Sequence, residues 1–198
     1  MLAFPGGVER LMDKSMTPLR TTPLNVILIG FMGCGKTTIG VRLAGLLGFD
    51  FVDTDALIVA KAGMPIPQIF QEQGEAGFRA LETGVLDELA AQGCERTVIS
   101  TGGGIVTQPI NTEKLRALGV IVWLTTSDDI LWQRVRRNRE RPMLHTKNPR
   151  QTFNDLLALR RPMYAGLADL TIDSRGLSPE EAAYGMGESV RVYFNPGS

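Results

Sequence analysis

The sequence predicts one doubly wound α/β domain built on a parallel sheet. Five short apolar segments alternate with segments of helical periodicity. Between the first strand and the first helix lies Gly30-Phe31-Met32-Gly33-Cys34-Gly35-Lys36-Thr37, which fits the phosphate-loop pattern G-x-x-x-x-G-K-[ST]. No segment repeats at a fixed period, which excludes solenoid and propeller architectures.

The first strand is Asn25-Val26-Ile27-Leu28-Ile29, short, β-branched and apolar, as a strand buried on both faces should be. After the loop, Ile39, Leu43, Leu46 and Leu47 recur at helical spacing. Glycines let the main chain approach a ligand closely, and the amides at a helix start favour an anion. The loop residues Gly33, Cys34, Gly35, Lys36, Thr37 and Thr38 are therefore candidates for binding a nucleoside triphosphate such as ATP. Lys36 would reach the β- and γ-phosphates, and the Thr37 hydroxyl would ligate Mg²⁺. A plain glycine turn is the structural alternative, and the strand and helix on either side argue against it.

The second strand, Asp50-Phe51-Val52, ends in Asp53-Thr54-Asp55. Ligands of open parallel sheets bind beyond the carboxyl ends of the strands, which puts both carboxylates near the loop mouth. One can support the Mg²⁺ shell and the other can bind or activate an acceptor hydroxyl. Asp55 also precedes Ala56-Leu57-Ile58-Val59, which reads as a helix N-cap. Residues 64–92 read as a helical insertion. Gly74-Glu75-Ala76-Gly77 divides it into a short helix, about Gln68 to Gln73, and a longer one striped by Phe78, Leu81, Val85, Leu86 and Leu89. Arg79 and Glu82 share a face there, the spacing of a salt bridge.

The third strand, Thr97-Val98-Ile99-Ser100, runs into Thr101-Gly102-Gly103-Gly104. Three glycines at a strand end imply close backbone approach. Pro109 and Asn111 open a helix through Leu115 and Leu118, and Val120 to Leu124 is the fourth strand. Ser127 or Asp128 caps the next helix. Residues 134–141 hold five arginines in eight positions, either a solvated helix end or a phosphate clamp. Residues 139–150, with Pro142, Pro149 and the only histidine, His145, form too long a connection for a plain turn and read as a lid. His145 reads as exposed and incidental. Phe153 to Leu159 is helical, followed by Arg160-Arg161-Pro162-Met163-Tyr164; Leu170-Thr171-Ile172 is the fifth strand. Ser178-Pro179-Glu180-Glu181 is a capping box that opens the last helix.

Lys plus Arg and Asp plus Glu are 21 each, so the chain lacks the basic excess of a nucleic-acid binder. The two cysteines, Cys34 and Cys94, make no disulfide framework, which fits a reduced, cytoplasmic setting. No run of eighteen apolar residues occurs, so no membrane partner is expected. Residues 1–22 lack the apolar core of a signal peptide and read as a flexible extension with a short helix around Val8 to Lys14. Met16 is a second candidate start.

The phosphate loop, Asp53-x-Asp55, Gly77-Phe78-Arg79, Gly102-Gly103-Gly104, Arg141-Pro142-Met143-Leu144 and Arg160-x-Pro-x-Tyr164 follow one another in one chain. This set resembles the shikimate kinase family, within the nucleoside-monophosphate-kinase-like P-loop group, over residues 24–193. The resemblance implies a three-layer α/β/α domain over 23–198 with sheet order 2-3-1-4-5, a substrate-binding helical segment at about 56–92 and a lid at 139–150. It implies transfer of the ATP γ-phosphoryl group to the 3-hydroxyl of shikimate, in the pathway to chorismate and the aromatic amino acids, by a monomer. On that resemblance Asp55 holds the shikimate hydroxyls, Arg79 and Arg160 grip its carboxylate, and Gly102, Gly103 and Gly104 wall the pocket. Arg141 reaches the phosphoryl group, Arg134 covers adenine, and Ser174 and Arg175 lie on the adenine loop. Asp53 and Ser100 fall near Mg²⁺ and its waters. Lys36, Asp55 and Arg141 are the expected catalytic residues. Met143 stands where leucine is usual in the lid motif, and Cys34 replaces a usually small residue. A gluconate-type kinase shares the fold and a carboxylated acceptor, but Asp53-x-Asp55 with Gly77-Phe78-Arg79 favours shikimate. No base-recognition motif supports a nucleoside-monophosphate kinase, and no Asn-Lys-x-Asp motif supports a GTPase. An inactive binding module should have lost Lys36, an aspartate at 53 or 55, or Arg141, and all remain.

Overall fold

A computed structural model describes residues 24–137 and 142–195. Five parallel strands form one sheet in the order β2-β3-β1-β4-β5, as the resemblance implied. They are β1 (Val26–Ile29), β2 (Asp50–Asp53), β3 (Thr97–Ser100), β4 (Val120–Thr125) and β5 (Leu170–Asp173). β1 is central and wholly buried, paired in register with Val98 to Ser100 on one side and Val120 to Trp123 on the other. Buried Asn25 ties the starts of three strands together. Its Nδ2 donates to the Leu118 and Cys94 carbonyls at 2.9 and 2.7 Å, and its Oδ1 accepts from Thr97 N–H at 3.0 Å.

Among the described residues seven helices cover the sheet: α1 (Lys36–Leu47), α2 (Thr54–Ala62), α3 (Ile66–Ala91), α4 (Pro109–Leu118), α5 (Asp128–Val135), α6 (Pro149–Leu167) and α7 (Pro179–Phe194). Right-handed crossovers put the β1–β2 connection on one face and the later ones on the other. Accordingly α1 packs on α7, while α3 packs on α4 and α6 packs on β4. The chain leaves β1 and β3 in opposite directions, which opens a crevice beyond their carboxyl ends. Among the described residues no helix is long and apolar enough to cross a membrane.

Four local expectations change. Leu46 is exposed, because the buried face of α1 runs through Ile39, Gly40, Leu43 and Ala44. The cap of α2 is Asp53, whose Oδ1 accepts from the Asp55 and Ala56 amides at 3.0 and 3.3 Å; Asp55 lies inside the first turn. The connection before α6 ends at Asn148, which caps that helix, so Pro149 and Arg150 are helical. Finally, α6 does not stop before Pro162 but continues to Leu167. The bond that proline removes would have ended on the exposed Ala158 carbonyl, which water can serve. Ser127 caps α5, and the capping box of α7 forms with both its bonds.

Candidate active site

The phosphate loop takes the backbone that its glycines permit. Gly30, Gly33 and Gly35 have φ of 144°, 82° and 104°. Gly35 is the N-cap of α1, so the opening amides of that helix face the loop. Lys36 folds back along the loop and donates to the Gly30 and Phe31 carbonyls at 2.8 and 3.1 Å. It lines a cleft of about 430 Å³ with Gly33, Gly35, Thr37 and Thr38. Arg134, from α5, donates to the Gly33 carbonyl at 3.1 Å and closes one wall. Ser174 follows β5 and lines the far end; its hydroxyl donates to the Thr125 carbonyl at 3.1 Å. Arg175 is not brought in. It turns outward onto Asp173 and is absent from the cleft lining. Cys34 is buried behind the loop, 3.7 Å from the Lys36 ammonium, and lines neither the cleft nor the cavity beside it.

At the base of the cleft the Thr37 hydroxyl donates to Asp53 Oδ2 at 2.8 Å and lies 3.5 Å from Ser100 Oγ. β1, β2 and β3 thus bring loop, aspartate and serine together.

A smaller cavity of about 90 Å³ adjoins the cleft, and Met32, Asp55 and Gly103 line both. Its walls carry Arg79 and Glu82 from α3, Arg160 from α6, and the glycine run after β3. These charges are buried: Arg79 is 6 % exposed, Arg160 3 % and Glu82 0 %. Arg79 Nη1 donates to Glu82 Oε2 at 2.6 Å. Burial alone would depress the Arg79 pKa, but Glu82 and Glu75 outweigh it and hold the guanidinium charged. Burial pushes the Glu82 carboxyl up against the pull of Arg79, and nearby Asp55 adds to the rise. Arg160 has weaker support. Its Nη1 reaches the Gly103 carbonyl at 3.4 Å, its Nε is buried without a hydrogen-bond partner, and its ring neighbour is Phe31 at 5.9 Å. Burial, with the positive charge of Arg79, lowers its pKa. A guanidinium does not lose its proton in a protein, so a buried one with an unpartnered Nε suits an anionic ligand.

The glycines are needed for contact. A Cβ on Gly104 would fall 2.2 Å from Arg79 Nη1, and one on Gly102 within 2.7 Å of both Asp55 Oδ1 and Glu82 Oε1. A Cβ on Gly103 would meet Met32 N at 3.1 Å, so this loop lies directly on the phosphate loop. Tyr164, one turn beyond Arg160, donates its hydroxyl to the Gly103 carbonyl.

The family profile of shikimate kinase matches residues 32–191. The chain belongs to the shikimate kinase family. It is 46% identical to the shikimate kinase of Halorhodospira halophila over 155 residues, 78% of this chain and 86% of that one. The shikimate kinase of Acinetobacter baylyi is 43% identical over 174 residues, 88% of this chain and 94% of that one. Among solved structures, the shikimate kinase from Acinetobacter baumannii in complex with shikimate superposes with a TM-score of 0.81 at 41% identity, covering 87% of this chain and 95% of that one. A gluconokinase from Sinorhizobium meliloti shares the fold, with a TM-score of 0.54 at 17% identity.

Shikimate kinases use ATP with Mg²⁺, and the residues here suit that ion. Thr37, Asp53 and Ser100 offer one carboxylate and two hydroxyls, and no group of three or more His, Cys, Asp or Glu side chains among the described residues could hold a metal. Magnesium keeps several waters and takes phosphate oxygens with one or two carboxylates, so an all-protein cage is not required. Arg141 lies outside the described residues, as do 139 and 140 of the expected lid. The described part of that segment opens with a short turn, Pro142–Leu144, and ends in the first residues of α6; Pro142 and Met143 line the small cavity, and His145 is exposed. Sequence reasoning missed Ile66 and Phe70, which line the cavity from the first half of α3, and Glu75, which pairs with Arg79. The Glu75–Arg79 spacing of four was a legible signal. The pocket-facing direction of Ile66 and Phe70 was not.

Proposed function

We propose that this kinase transfers the γ-phosphoryl group of ATP to the 3-hydroxyl of shikimate, with the phosphates in the larger cleft and the acceptor in the smaller cavity. The observation that carries the reading is Arg160, a buried guanidinium whose Nε has no partner, set beside Arg79 in a cavity that opens onto the nucleotide cleft. Two arginines aimed into one small cavity suit a compact carboxylate. A gluconate-type acceptor would also bring a carboxylate, but family membership favours shikimate.

In this reading the acceptor oxygen attacks the γ-phosphorus in line, the bond to the β–γ bridging oxygen breaks, and ADP leaves. Lys36 exchanges its loop carbonyls for phosphate oxygens. Asp55, which lines both cavities, orients the attacking hydroxyl and takes its proton. Thr37 and Asp53, with Ser100 nearby, would hold Mg²⁺, which would neutralise charge on the phosphates. Arg134 and Ser174 border the base end. Arg141 joins the phosphoryl group on the strength of the family resemblance. The work is mainly positioning and charge neutralisation, as a loose phosphoryl transfer requires. The enzyme acts on two small molecules, as a monomer in the cytoplasm, and residues 23–198 constitute its single domain.

The test is steady-state turnover with ATP, Mg²⁺ and either shikimate or gluconate. Efficient ADP release with shikimate and none above background with gluconate is expected. The reverse order would overturn the acceptor assignment.

A further inference from the structure

Arg79 is held by two acids of its own helix, and they differ. Glu82 is fully buried and takes Nη1 through Oε2 at 2.6 Å. Glu75 takes the opposite edge of the guanidinium, and its side chain is 51% exposed. A single oxygen, Oε1, accepts from both Nη2 at 2.9 Å and Nε at 3.3 Å. A well-seated carboxylate meets an arginine edge with two oxygens and two parallel bonds. Glu75 thus occupies the Nε edge with a poor fit, half in water, where an ion pair is weak. Its charge also acts on Arg160, so it partly neutralises both arginines.

The backbone explains why Glu75 can let go. α3 is interrupted at Gly74, with φ 69° and ψ −176°, a left-handed φ that a side chain resists. Glu75 is the first residue after that break. Its carboxylate therefore sits at the start of the resumed helix, where the helix dipole stabilises a negative charge whether or not Arg79 is beside it.

We propose that Glu75 is a displaceable surrogate for the acceptor's carboxylate: it covers the Nε edge of Arg79 until the acceptor binds and is then released. This rests on the reading of Arg79 as a carboxylate ligand. Glu82 stays in place and keeps the guanidinium aimed, whereas Glu75 competes with the acceptor. Glu75 is a positioning residue with an inverse sign, since removing its charge improves acceptor binding.

The experiment is calorimetric titration of shikimate into the full-length protein and its Glu75→Gln, Arg79→Ala and Glu75→Gln/Arg79→Ala variants, with thermal melting of each in the presence and absence of shikimate. Arg79→Ala tests the underlying reading alone: unchanged shikimate affinity there would remove the carboxylate role of Arg79, and the proposal with it. Given weakened binding in Arg79→Ala, Glu75→Gln decides the proposal. It should bind shikimate about two- to fivefold more tightly, the scale of releasing one half-exposed ion pair. That gain should vanish in the double variant. Glu75→Gln should also melt earlier than the parent without shikimate, and the gap should narrow with shikimate bound. Equal or weaker binding by Glu75→Gln, or a melting gap that persists with ligand, would make Glu75 a permanent support of Arg79 and overturn the proposal.

Discussion

The nucleotide cleft and the acceptor cavity meet at Asp55, Met32 and Gly103, yet they are built by different means. The cleft is made of main chain. Its phosphate end is one contiguous loop whose glycines adopt positive φ, and its side chains rest in hydrogen bonds: Lys36 on loop carbonyls, Thr37 on Asp53, Arg134 on Gly33. The cavity is made of side-chain charge drawn from α2, α3 and α6, set against the glycine loop after β3. There one cation, Arg79, is paired with Glu75 and Glu82, whereas another, Arg160, reaches the Gly103 carbonyl at 3.4 Å and keeps a buried Nε without a hydrogen-bond partner among the described residues. A backbone site binds any group with the right anionic geometry. A site of buried side-chain charge selects the ligand that pairs with it, and on the proposed function this would divide general phosphate affinity from acceptor specificity.

The largest effect expected is on the main-chain side. Lys36→Met keeps the buried stem and removes the ammonium. Turnover should fall on the order of 10²–10³-fold, as for loss of one preorganised transition-state donor, with the melting temperature nearly retained. Near-normal kcat in a folded variant would break the assignment of the cleft.

Next come the buried arginines. Arg160→Ala should raise KM for shikimate roughly ten- to a hundredfold, the scale of a lost charge-assisted bond, while Kd for ADP stays unchanged. Arg160→Lys should remain impaired, because a point charge does not reproduce a planar fork. Equal losses on both ligands would show that Arg160 serves the fold instead.

Two glycines sharpen the division. Gly104→Ala places a methyl 2.2 Å from Arg79 Nη1 and must move that guanidinium, so shikimate KM should rise about tenfold with ADP binding intact. Gly33→Ala strains a φ of 82° and meets Val135 Cγ2 at 2.9 Å, so ADP binding should weaken and shikimate binding should not. Measuring both constants in both variants gives a crossed comparison, and the same pattern in each would collapse it.

The smallest effect concerns Tyr164, which braces the glycine shared by both sites. Burial raises its phenol pKa well above the usual value. The folded protein then keeps a proton that the unfolded chain releases near pH 10, so stability is full below that pH and falls above it. One such proton contributes a slope of about 1.4 kcal/mol per pH unit. Tyr164→Phe should lose about 1 kcal/mol at neutral pH with its hydrogen bond and show a shallower alkaline decline. Urea unfolding from pH 8 to 11 measures both. An unchanged alkaline slope would mean that the phenol ionises alike in both states.

Much of this protein could be read along the chain. Strand β1, the loop at 30–37 and the start of α1 are contiguous, and local sterics dictate what such a stretch can do. The capping box at Ser178 to Glu181 is local in the same way. The motif series identified the family and, through it, the sheet order. Spacing alone could not settle whether Arg79 and Glu82 form an ion pair or a binding group. The structure makes them an ion pair within a cavity wall, because α6 brings Arg160 alongside from 81 residues away.

Other features were decided only by tertiary structure. Asp53, not Asp55, caps α2, because β2 runs one residue further and its pairing with Ser100 sets where the helix begins. α6 passes through Pro162, because Phe153, Leu157, Arg160 and Tyr164 bury one face across the proline. Arg175 turns outward onto Asp173, although its neighbour Ser174 faces the cleft. Local sequence determines which backbone shapes are open to a segment and which chemistry it carries. Which side chains are buried together, and which charges lack a partner, depends on long-range packing, and the acceptor cavity arises from that packing.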